Sequence, residues 1–491
     1  MRHHTSTVNP GDARGRGCTR GCHATFQPLR RPGPGFALAA LLFVAAVVRL
    51  LWIGRESYWF DELWSIDQVR PPLGDVLASL AERDVHPPLY PLLLWGWVHL
   101  FGDAEWVTRL PSALFGTAAV GVLYVLGRDL WDRATGLVAA GMLALSSFAV
   151  AYSQETRCYS LLLLLSLGAT AALVRWSASP RALGRQAGYT ALGLLLAYTH
   201  VYGAFLLAAH AVFVLGWLPA LRRRYLVTGA IVAVLFAPWV PVLLQQVGRV
   251  QAGFWIEPLT WRSSLTLTWF WGGYSYPMAA TVGVLMLRGV LERAPEEPEP
   301  ARRHRRGLAL LLIAVPFALG VGVSLLFQPI VQPKYLIALL GGAFLLAARG
   351  LLALPVRWRV ATGAAVGAAM AIALPLHTYV GASKEQWREL GALGRDAASR
   401  GTLVVAEACN RAFLPFYLGD TPVTWLETEA DVDAVDWVAR ASGRDVLFLQ
   451  VHPQGPDRRP ALSRRWRTID EIELKDARAT RYHPLPRVNR E

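Results

Sequence analysis

The stretch FALAALLFVAAVVRLLWIG, residues 36–54, is apolar throughout except for one charged side chain, Arg49. A helix of about 20 mostly apolar residues spans the hydrocarbon core of a bilayer. Residues 138–152, 307–327 and 336–354 have the same character. With 54% hydrophobic residues among 491, the chain carries more apolar surface than one soluble core buries. The sequence therefore predicts an α-helical polytopic membrane protein.

Eleven segments are interpreted as transmembrane helices, and an odd number places the two ends of the chain on opposite faces of the membrane. The predicted spans are residues 36–54, 108–127, 134–153, 158–175, 187–200, 203–219, 225–245, 271–289, 307–327, 335–354 and 360–380.

Arginine sets the predicted orientation. The net charge of +14 comes almost entirely from arginine, since lysine occurs only at Lys334, Lys384 and Lys475. Most arginines lie in alternate short loops between apolar segments, which is the pattern of the positive-inside rule and not of nucleic-acid binding. The loop at residues 55–107 instead has nine carboxylates and three arginines. We therefore predict a cell-membrane protein with a cytoplasmic N-terminus and an extracytoplasmic C-terminus.

Two regions outside the spans are predicted to face water. Residues 1–35 are rich in Arg, Gly and Pro without apolar periodicity, and are predicted to be a disordered basic cytoplasmic tail. Residues 382–491 contain buried-strand patterns at residues 402–408 and 446–451, with helical patterns before and between them. This predicts a small extracytoplasmic α/β domain, which we interpret as covering or stabilising the site without chemistry of its own.

The apolar stretch at residues 87–101 has two interpretations. As a span it would place the later arginine-rich loops outside the cell, and its 15 residues are fewer than a span needs. We therefore interpret it as a helix at the outer membrane interface.

The first outer loop, residues 55–107, is the predicted catalytic loop. Within it, the sequence Tyr-Trp-Phe-Asp-Glu-Leu-Trp at residues 58–64 embeds Asp61 and Glu62 among aromatic residues immediately after the first span. Tyr and Trp favour the headgroup layer, where a partly desolvated carboxylate is costly. The pair is therefore either a functional site or two solvated interface charges.

Transfer of a sugar from a lipid phosphate would need a carboxylate of this kind and cations near it. The acceptor hydroxyl must lose a proton to a base, and the leaving phosphate needs fixed cations. Arg157 and Lys334, predicted at the outer ends of spans, are candidates for the cations. Each alone is also explained as a residue whose charge reaches the membrane surface from a helix end.

An ordered set of short motifs resembles the polyprenyl- or dolichyl-phosphate-sugar glycosyltransferases of the protein O-mannosyltransferase and aminoarabinose-transferase type, which are C-type (GT-C) enzymes. The resemblance runs over residues 36–380 in the same order along the chain. It rests on Asp61-Glu62, His86-Pro87-Pro88-Leu89-Tyr90, Arg109-Leu110-Pro111-Ser112, Ser153-Gln154-Glu155-x-Arg157-x-Tyr159 and Tyr198-Thr199-His200.

The resemblance implies a GT-C-like fold and an inverting transfer in which Asp61 is the general base. It implies that Glu62 supports Asp61 or helps to hold a cation. Substrate-binding roles are expected for His86, Arg157, Tyr159, His200, Lys334 and Tyr335. At residue 334 the family often has arginine, and a lysine keeps the charge without the bidentate fork. His200 is also explained as a capping residue.

The expected partners are a polyprenyl-phosphate-linked sugar, membrane lipid, and a glycan, lipid or protein acceptor. No cofactor or metal ligand is assigned, although a divalent cation remains an option. The competing interpretation from another class is a transporter or flippase of lipid-linked sugars. Transporters place ionisable groups near the bilayer midplane, whereas the candidate charges here cluster at the outer boundary. An assembly factor would leave Asp61 and Glu62 without a purpose.

Overall fold

The computed structural model describes residues 35–252, 256–292, 299–452 and 458–485. The predicted cytoplasmic tail lies outside the described residues, apart from Gly35. A helical part comes first along the chain, and a smaller part that contains a β-sheet follows it.

The helical part is built mainly from Leu, Ala and Val, of which Leu and Ala are strong helix formers. Its α-helices are α1 (Phe36–Leu50), α2 (Phe60–Val69), α3 (Leu73–Glu82), α4 (Leu89–Phe101), α5 (Glu105–Leu130), α6 (Arg133–Leu145), α7 (Ser147–Ser153), α8 (Tyr159–Ser177), α9 (Leu183–Ala197), α10 (Val201–Trp217), α11 (Arg222–Phe236), α12 (Val240–Ala252), α13 (Trp261–Thr266), α14 (Trp269–Gly272), α15 (Tyr276–Leu291), α16 (Glu299–Leu326), α17 (Leu340–Leu352) and α18 (Val356–Thr378). Short 3₁₀ turns precede α12 and α17, at Ala237–Trp239 and Pro333–Leu339.

Every predicted span overlaps one helix or two successive helices, and the prediction of a polytopic helical membrane protein is confirmed. Among the described residues, six helical stretches are long and apolar enough to cross a membrane, and the bent pair of α6 and α7 gives a seventh. The helices α1, α9, α10 and α15 have only 15, 15, 17 and 16 residues. The eleven predicted segments therefore do not all reach the length of a full span.

The helices differ in how deeply they are buried. Residues Arg222–Arg249 have a mean hydropathy of 2.2 in their most apolar window, of which only 6% is buried, whereas the corresponding window of Pro333–Leu352 is 89% buried. An apolar helix with so little burial requires a lipid environment. At the centre, Gly289 on α15 and Gly350 on α17 face each other so closely that a Cβ on either would overlap the opposite backbone.

Arg49 is fully buried at the end of α1. It donates hydrogen bonds to the carbonyls of Leu143 (3.1 Å) and Ala144 (3.3 Å) and to Oγ of Ser153 (3.2 Å). These carbonyls end α6, where the chain bends by 61° into α7, so they have lost their helical partners. The guanidinium therefore satisfies polar groups at a broken helix.

The loop between α1 and α5 contains three short helices, α2 to α4. The 13 residues of α4 span roughly 20 Å at 1.5 Å each, which is less than the ~30 Å hydrocarbon core. This length fits the interpretation of residues 87–101 as something other than a full span. Its position at the outer interface stays a prediction.

The C-terminal part is an α/β layer, and the predicted small sheet domain is confirmed. Its five strands have the order β2-β1-β3-β5-β4, with β1 parallel to β2 and β3, and β5 antiparallel to β3 and β4. The elements are α19 (Trp387–Ser399), β1 (Leu403–Glu407), α20 (Pro415–Leu418), β2 (Val423–Leu426), α21 (Glu429–Ser442), β3 (Val446–Val451), α22 (Arg459–Arg465), β4 (Trp466–Leu474) and β5 (Ala477–Pro484).

The C-terminal part forms hydrogen bonds with the residues at the start of α2 and just before it. The N–H of Phe60 donates to Oε2 of Glu385 (2.9 Å), and Oγ of Ser57 donates to the carbonyl of Glu385 (2.7 Å). The N–H of Tyr58 donates to the hydroxyl of Tyr417 (2.8 Å). The backbone that leads into the candidate carboxylates is therefore fixed by residues more than 300 positions away.

Candidate active site

Asp61 and Glu62 lie in the first turn of α2. Successive residues of an α-helix point about 100° apart, so the two carboxylates enter different surroundings. The side chain of Glu62 is fully buried, whereas that of Asp61 is 21% exposed. The two adjacent acids are therefore not equivalent.

Glu62 is held on all sides. Arg109 donates Nε to Oε1 and Nη2 to Oε2, both at 2.8 Å, and also binds backbone carbonyls within residues 53–57. The N–H of Thr156 (2.8 Å) and the ammonium of Lys384 (2.9 Å) complete the shell. Burial alone would raise the pKa of Glu62, but the charges of Arg109 and Lys384 outweigh it and lower the pKa to about 2. Glu62 is thus an ionised anchor between α2, α5 and the C-terminal part.

Asp61 faces a cationic group of side chains. Nζ of Lys334 lies 2.9 Å from its Oδ2, and Nη2 of Arg157 lies 4.0 Å from the same atom. Nη1 of Arg157 also donates to the carbonyl of Asp61 (3.2 Å) and to Oγ of Ser65 (2.9 Å). Burial would raise the pKa of Asp61, but Arg157 and Lys334 lower it below its ordinary value. The side chain of Asp61 is therefore an ionised carboxylate.

Aromatic rings surround this group of charges. The ammonium of Lys334 lies 5.9 Å from the ring centres of both Tyr159 and Tyr335. The ring of His200 is 4.8 Å from that of Tyr335 and 5.4 Å from that of His86. All eight residues singled out in the sequence therefore lie in one contiguous site. His200 also caps α10, because its Nδ1 accepts the N–H of Tyr202 (3.2 Å).

His86 is held by Asp84. Nδ1 of His86 lies 3.1 Å from Oδ1 of Asp84, and that oxygen also accepts the backbone N–H groups of Val85 (2.6 Å) and His86 (3.0 Å). Burial opposes ionisation of Asp84, but its hydrogen bond and charge interaction with His86 lower the pKa of this carboxyl below its ordinary range. The His-Pro-Pro turn is therefore fixed before α4 begins.

Two buried donors in this site have no hydrogen-bond partner within the described part of the chain. They are Nε of Arg157 and the hydroxyl of Tyr159. Unpaired buried donors are costly, typically about 1–3 kcal/mol each. Next to a lysine and an arginine, such donors suit an anionic ligand with several oxygens. The site therefore offers positive charge and unpaired donors to an anionic ligand beside an ionised carboxylate.

Sequence reasoning missed the role of Lys384, which bridges Glu62 and the carbonyl of Gln154 (3.0 Å). Burial lowers the pKa of Lys384 below its ordinary value, although Glu62 opposes the shift. Glu155 was quoted only as part of a motif. Burial raises the pKa of Glu155 to about 7, against the opposing charge of Lys384. The signal present in the sequence was the rarity of lysine, which occurs at only three positions. The structure shows that two of these lysines contact Asp61 and Glu62.

No group of three or more His, Cys, Asp or Glu side chains in the described ranges of the chain is placed to hold a metal ion. A divalent cation is therefore assigned to no residues.

Comparison with known proteins gives both a family-model match and a fold match. A model described as dolichyl-phosphate-mannose-protein mannosyltransferase matches residues 85–242. ArnT from Cupriavidus metallidurans, solved with bound undecaprenyl phosphate, matches with a TM-score of 0.58 at 15% identity, over 91% of this chain and 98% of that chain. The archaeal oligosaccharyltransferase AglB from Archaeoglobus fulgidus, solved with an inhibitory peptide and a dolichol-phosphate, matches with a TM-score of 0.53 at 12% identity, over 84% of this chain and 69% of that chain.

No curated protein sequence matches the chain. The structural matches establish that this chain has the GT-C fold, and the predicted resemblance to C-type glycosyltransferases is confirmed. Four of the eight predicted site residues lie within the segment that the family model matches, namely His86, Arg157, Tyr159 and His200. The motif residue Arg109 lies in the same segment.

Proposed function

We propose that this chain, which has the fold of the C-type glycosyltransferases, transfers a sugar from a polyprenyl-phosphate donor to an acceptor hydroxyl at the outer face of the membrane, with inversion. The observation that carries the proposal is the convergence of Asp61, Arg157 and Lys334 from three distant parts of the chain. A glycosyltransferase is supported by both the family-model match and the fold. The arginine distribution supports the outer face.

The donor class is supported by the cationic side of the site. Arg157 and Lys334 supply two positive charges, and the unpaired Nε of Arg157 and hydroxyl of Tyr159 supply further donors. A monophosphate ester presents oxygens that suit such a set. The relatives solved with undecaprenyl phosphate and with dolichol-phosphate bind lipids of this chemical class.

The chemistry proceeds in one displacement. The acceptor oxygen forms a bond to the anomeric carbon while the bond from that carbon to the phosphate oxygen breaks. The electron pair of the broken bond stays on the phosphate, where Arg157 and Lys334 stabilise the charge. The acceptor proton passes to the carboxylate of Asp61, which acts as general base. A phosphate leaves without needing a proton from the protein, so one free carboxylate is sufficient.

Inversion is supported by the different states of the two acids. A retaining double displacement uses two carboxylates near the reacting carbon, one as nucleophile and one as acid and base. Glu62 is fully buried and ion-paired to Arg109, so it is not available to a substrate. Glu62 instead positions the turn that carries Asp61. Of the two adjacent acids only Asp61 is open to a substrate, which favours direct attack by the acceptor.

The test is transfer by purified protein from a panel of radiolabelled polyprenyl-phosphate sugars, both hexoses and pentoses, into a membrane extract. We expect label to leave at least one donor in a reaction that requires Asp61. The Asp61→Asn variant should bind the donor without cleaving it. A flippase or transporter would move the lipid-linked sugar between leaflets of a proteoliposome and leave it intact, and that result would refute the proposal.

A further inference from the structure

A cavity of about 530 Å³ lies between the helical part and the start of the C-terminal part. Its walls come from the segment between α1 and α2, the end of α7 and the residues after it, the end of α18 and residues 381–385. It is lined by none of Asp61, Arg157, Tyr159, Lys334 and Tyr335, so it lies beside that group of side chains and does not include it. Its volume is within the range of small-molecule sites.

Three buried polar atoms on the wall of this cavity have no hydrogen-bond partner among the described residues. They are Oε2 of Glu155, Nε1 of Trp59 and Oγ1 of Thr378. Only 9% of Glu155 is exposed, so its carboxyl is withdrawn from solvent and still unsatisfied. Buried polar groups in proteins are almost always paired. A carboxyl, an indole N–H and a hydroxyl that all lack partners around one cavity indicate a polar ligand.

The composition of the wall favours a carbohydrate. Trp52, Trp59 and Tyr379 contribute aromatic rings, and Arg55 and Glu385 contribute charges of both signs. A ring face packs against the C–H face of a sugar, while carboxylates and cations bind its hydroxyls from the side. A lipid tail would need an apolar wall, and an anion would need an excess of cations.

Trp59 connects this cavity to the catalytic carboxylate. It precedes Asp61 by two residues, and its ring lies 5.3 Å from the ammonium of Lys334. On the other side, the ammonium of Lys384 lines the cavity and is bound to Glu62, the neighbour of Asp61. A ligand in the cavity is therefore adjacent to the turn that carries Asp61.

We propose that this cavity is the acceptor site, that the acceptor is a carbohydrate, and that the Glu155 carboxyl binds an acceptor hydroxyl. The acceptor role rests on the proposed function, whereas the carbohydrate site rests on the cavity alone. Glu155 touches the acceptor, whereas Asp61 takes the proton. The C-terminal part then completes the site, since residues 381–385 form one of its walls.

The test is direct binding, measured by saturation-transfer NMR on the full chain in detergent micelles. The probes are methyl glucoside, methyl mannoside, methyl galactoside, methyl arabinofuranoside and maltose, with a serine- and threonine-containing hexapeptide as the competing ligand class. We expect at least one glycoside to bind the wild type. Glu155→Ala should weaken that binding at least 10-fold, and Glu155→Gln at pH 6 should weaken it less than 3-fold.

Thr378→Val serves as a second variant, because it keeps the side-chain size and removes one unpaired hydroxyl. We expect it to weaken binding at least 3-fold. Glu427→Ala, an exposed carboxylate of the C-terminal part, is the control and should bind as the wild type does. The proposal is overturned if no glycoside binds the folded wild type, if both cavity variants bind normally, or if only the peptide binds.

Binding needs no donor, so the two proposals fail separately. A protein that binds a glycoside in this cavity but cleaves no polyprenyl-phosphate sugar refutes the transfer reaction and the acceptor role, and keeps the carbohydrate site. A protein that cleaves the donor but binds no glycoside refutes the carbohydrate site and keeps the transfer reaction.

Discussion

The ammonium of Lys334 lies 2.9 Å from Oδ2 of Asp61, although 273 positions separate the two residues in the chain. In this arrangement the carboxylate and the ammonium neutralise each other. Under the proposed function, an anionic donor would compete with Asp61 for Lys334 and for Arg157, which lies 4.0 Å from the same oxygen. Binding of the donor would then free the carboxylate for the acceptor proton.

Replacement of Asp61 by asparagine tests the base. The amide keeps the shape and removes the proton acceptor, so we expect turnover to fall about 100-fold to 10,000-fold. Affinity for polyprenyl phosphate should be unchanged or higher, because Lys334 loses its internal anionic partner. Release of labelled sugar measures the first quantity, and equilibrium binding of the lipid measures the second. Asp75→Asn, an exposed acid on α3, is the control and should retain full turnover.

Replacement of Lys334 by methionine tests the phosphate site. The loss of a charge-assisted hydrogen bond, typically about 1.5–3 kcal/mol, should raise the dissociation constant for polyprenyl phosphate about 10-fold to 150-fold. Lys334→Arg keeps the charge and should lose less. Lys475→Met, which removes an exposed lysine paired with Asp476, should leave lipid binding unchanged. Equal affinities for the Lys334→Met and Lys475→Met variants would contradict the assignment.

The helical part was readable from the sequence because lipid imposes one rule on every span. Long apolar windows must be helical, and each predicted window overlaps one helix or two successive helices. Strands β1 and β3 were predicted because they are short runs of buried aliphatic residues. Strands β2, β4 and β5 were missed. Most of β4 is exposed and four of its nine residues are charged, so it does not have the pattern of a buried strand.

The sequence predicted only those site residues that belong to a recognisable motif. Asp61, Arg157 and Lys334 were identified through the resemblance and their expected position at one membrane face. Lys384 was not, since its contact with Glu62 joins residues 322 positions apart and a lysine in a linker resembles a solvated charge. Glu155 was passed over because a carboxyl reveals its burial only in three dimensions. Such contacts depend on tertiary packing and not on local pattern.

The buried pair of Arg109 and Glu62 provides a stability test. Arg109→Met leaves Glu62 buried with one of its two cationic partners, and breaking a buried pair typically costs about 3–5 kcal/mol. We expect a markedly lower melting temperature in detergent and little folded protein. The double variant with Glu62→Leu should recover part of that stability, because the unpaired carboxylate is gone, while Lys384 loses its carboxylate partner and keeps the carbonyl of Gln154.

A surface pair is the matched control for this experiment. Arg70 and Asp103 are 2.6 Å apart, but their side chains are 45% and 40% exposed. Exposed pairs contribute about 0–1 kcal/mol, so Arg70→Met should hardly change the melting temperature. If Arg70→Met and Arg109→Met melt alike, Glu62 is not the anchor that its contacts indicate.

The pH dependence of stability tests Glu155. Its folded pKa of about 7 lies above the value of about 4.3 for an unfolded glutamate. Between these values the folded chain holds a proton that the unfolded chain has lost, so this group makes the folded state less stable as the pH rises through that window. At one to two pH units above it the destabilisation is complete, at about 4 kcal/mol or less. Glu155→Gln cannot ionise, so it should melt close to the wild-type temperature at pH 4, below this window, and a few degrees above it at pH 8. Glu427→Gln, an exposed counterpart, should match the wild type at both values. The opposite result, a wild type that melts higher than Glu155→Gln at pH 8, would mean that Lys384 stabilises the carboxylate and that it is ionised in the resting site. The carboxylate would then accept hydrogen bonds from the acceptor and donate none.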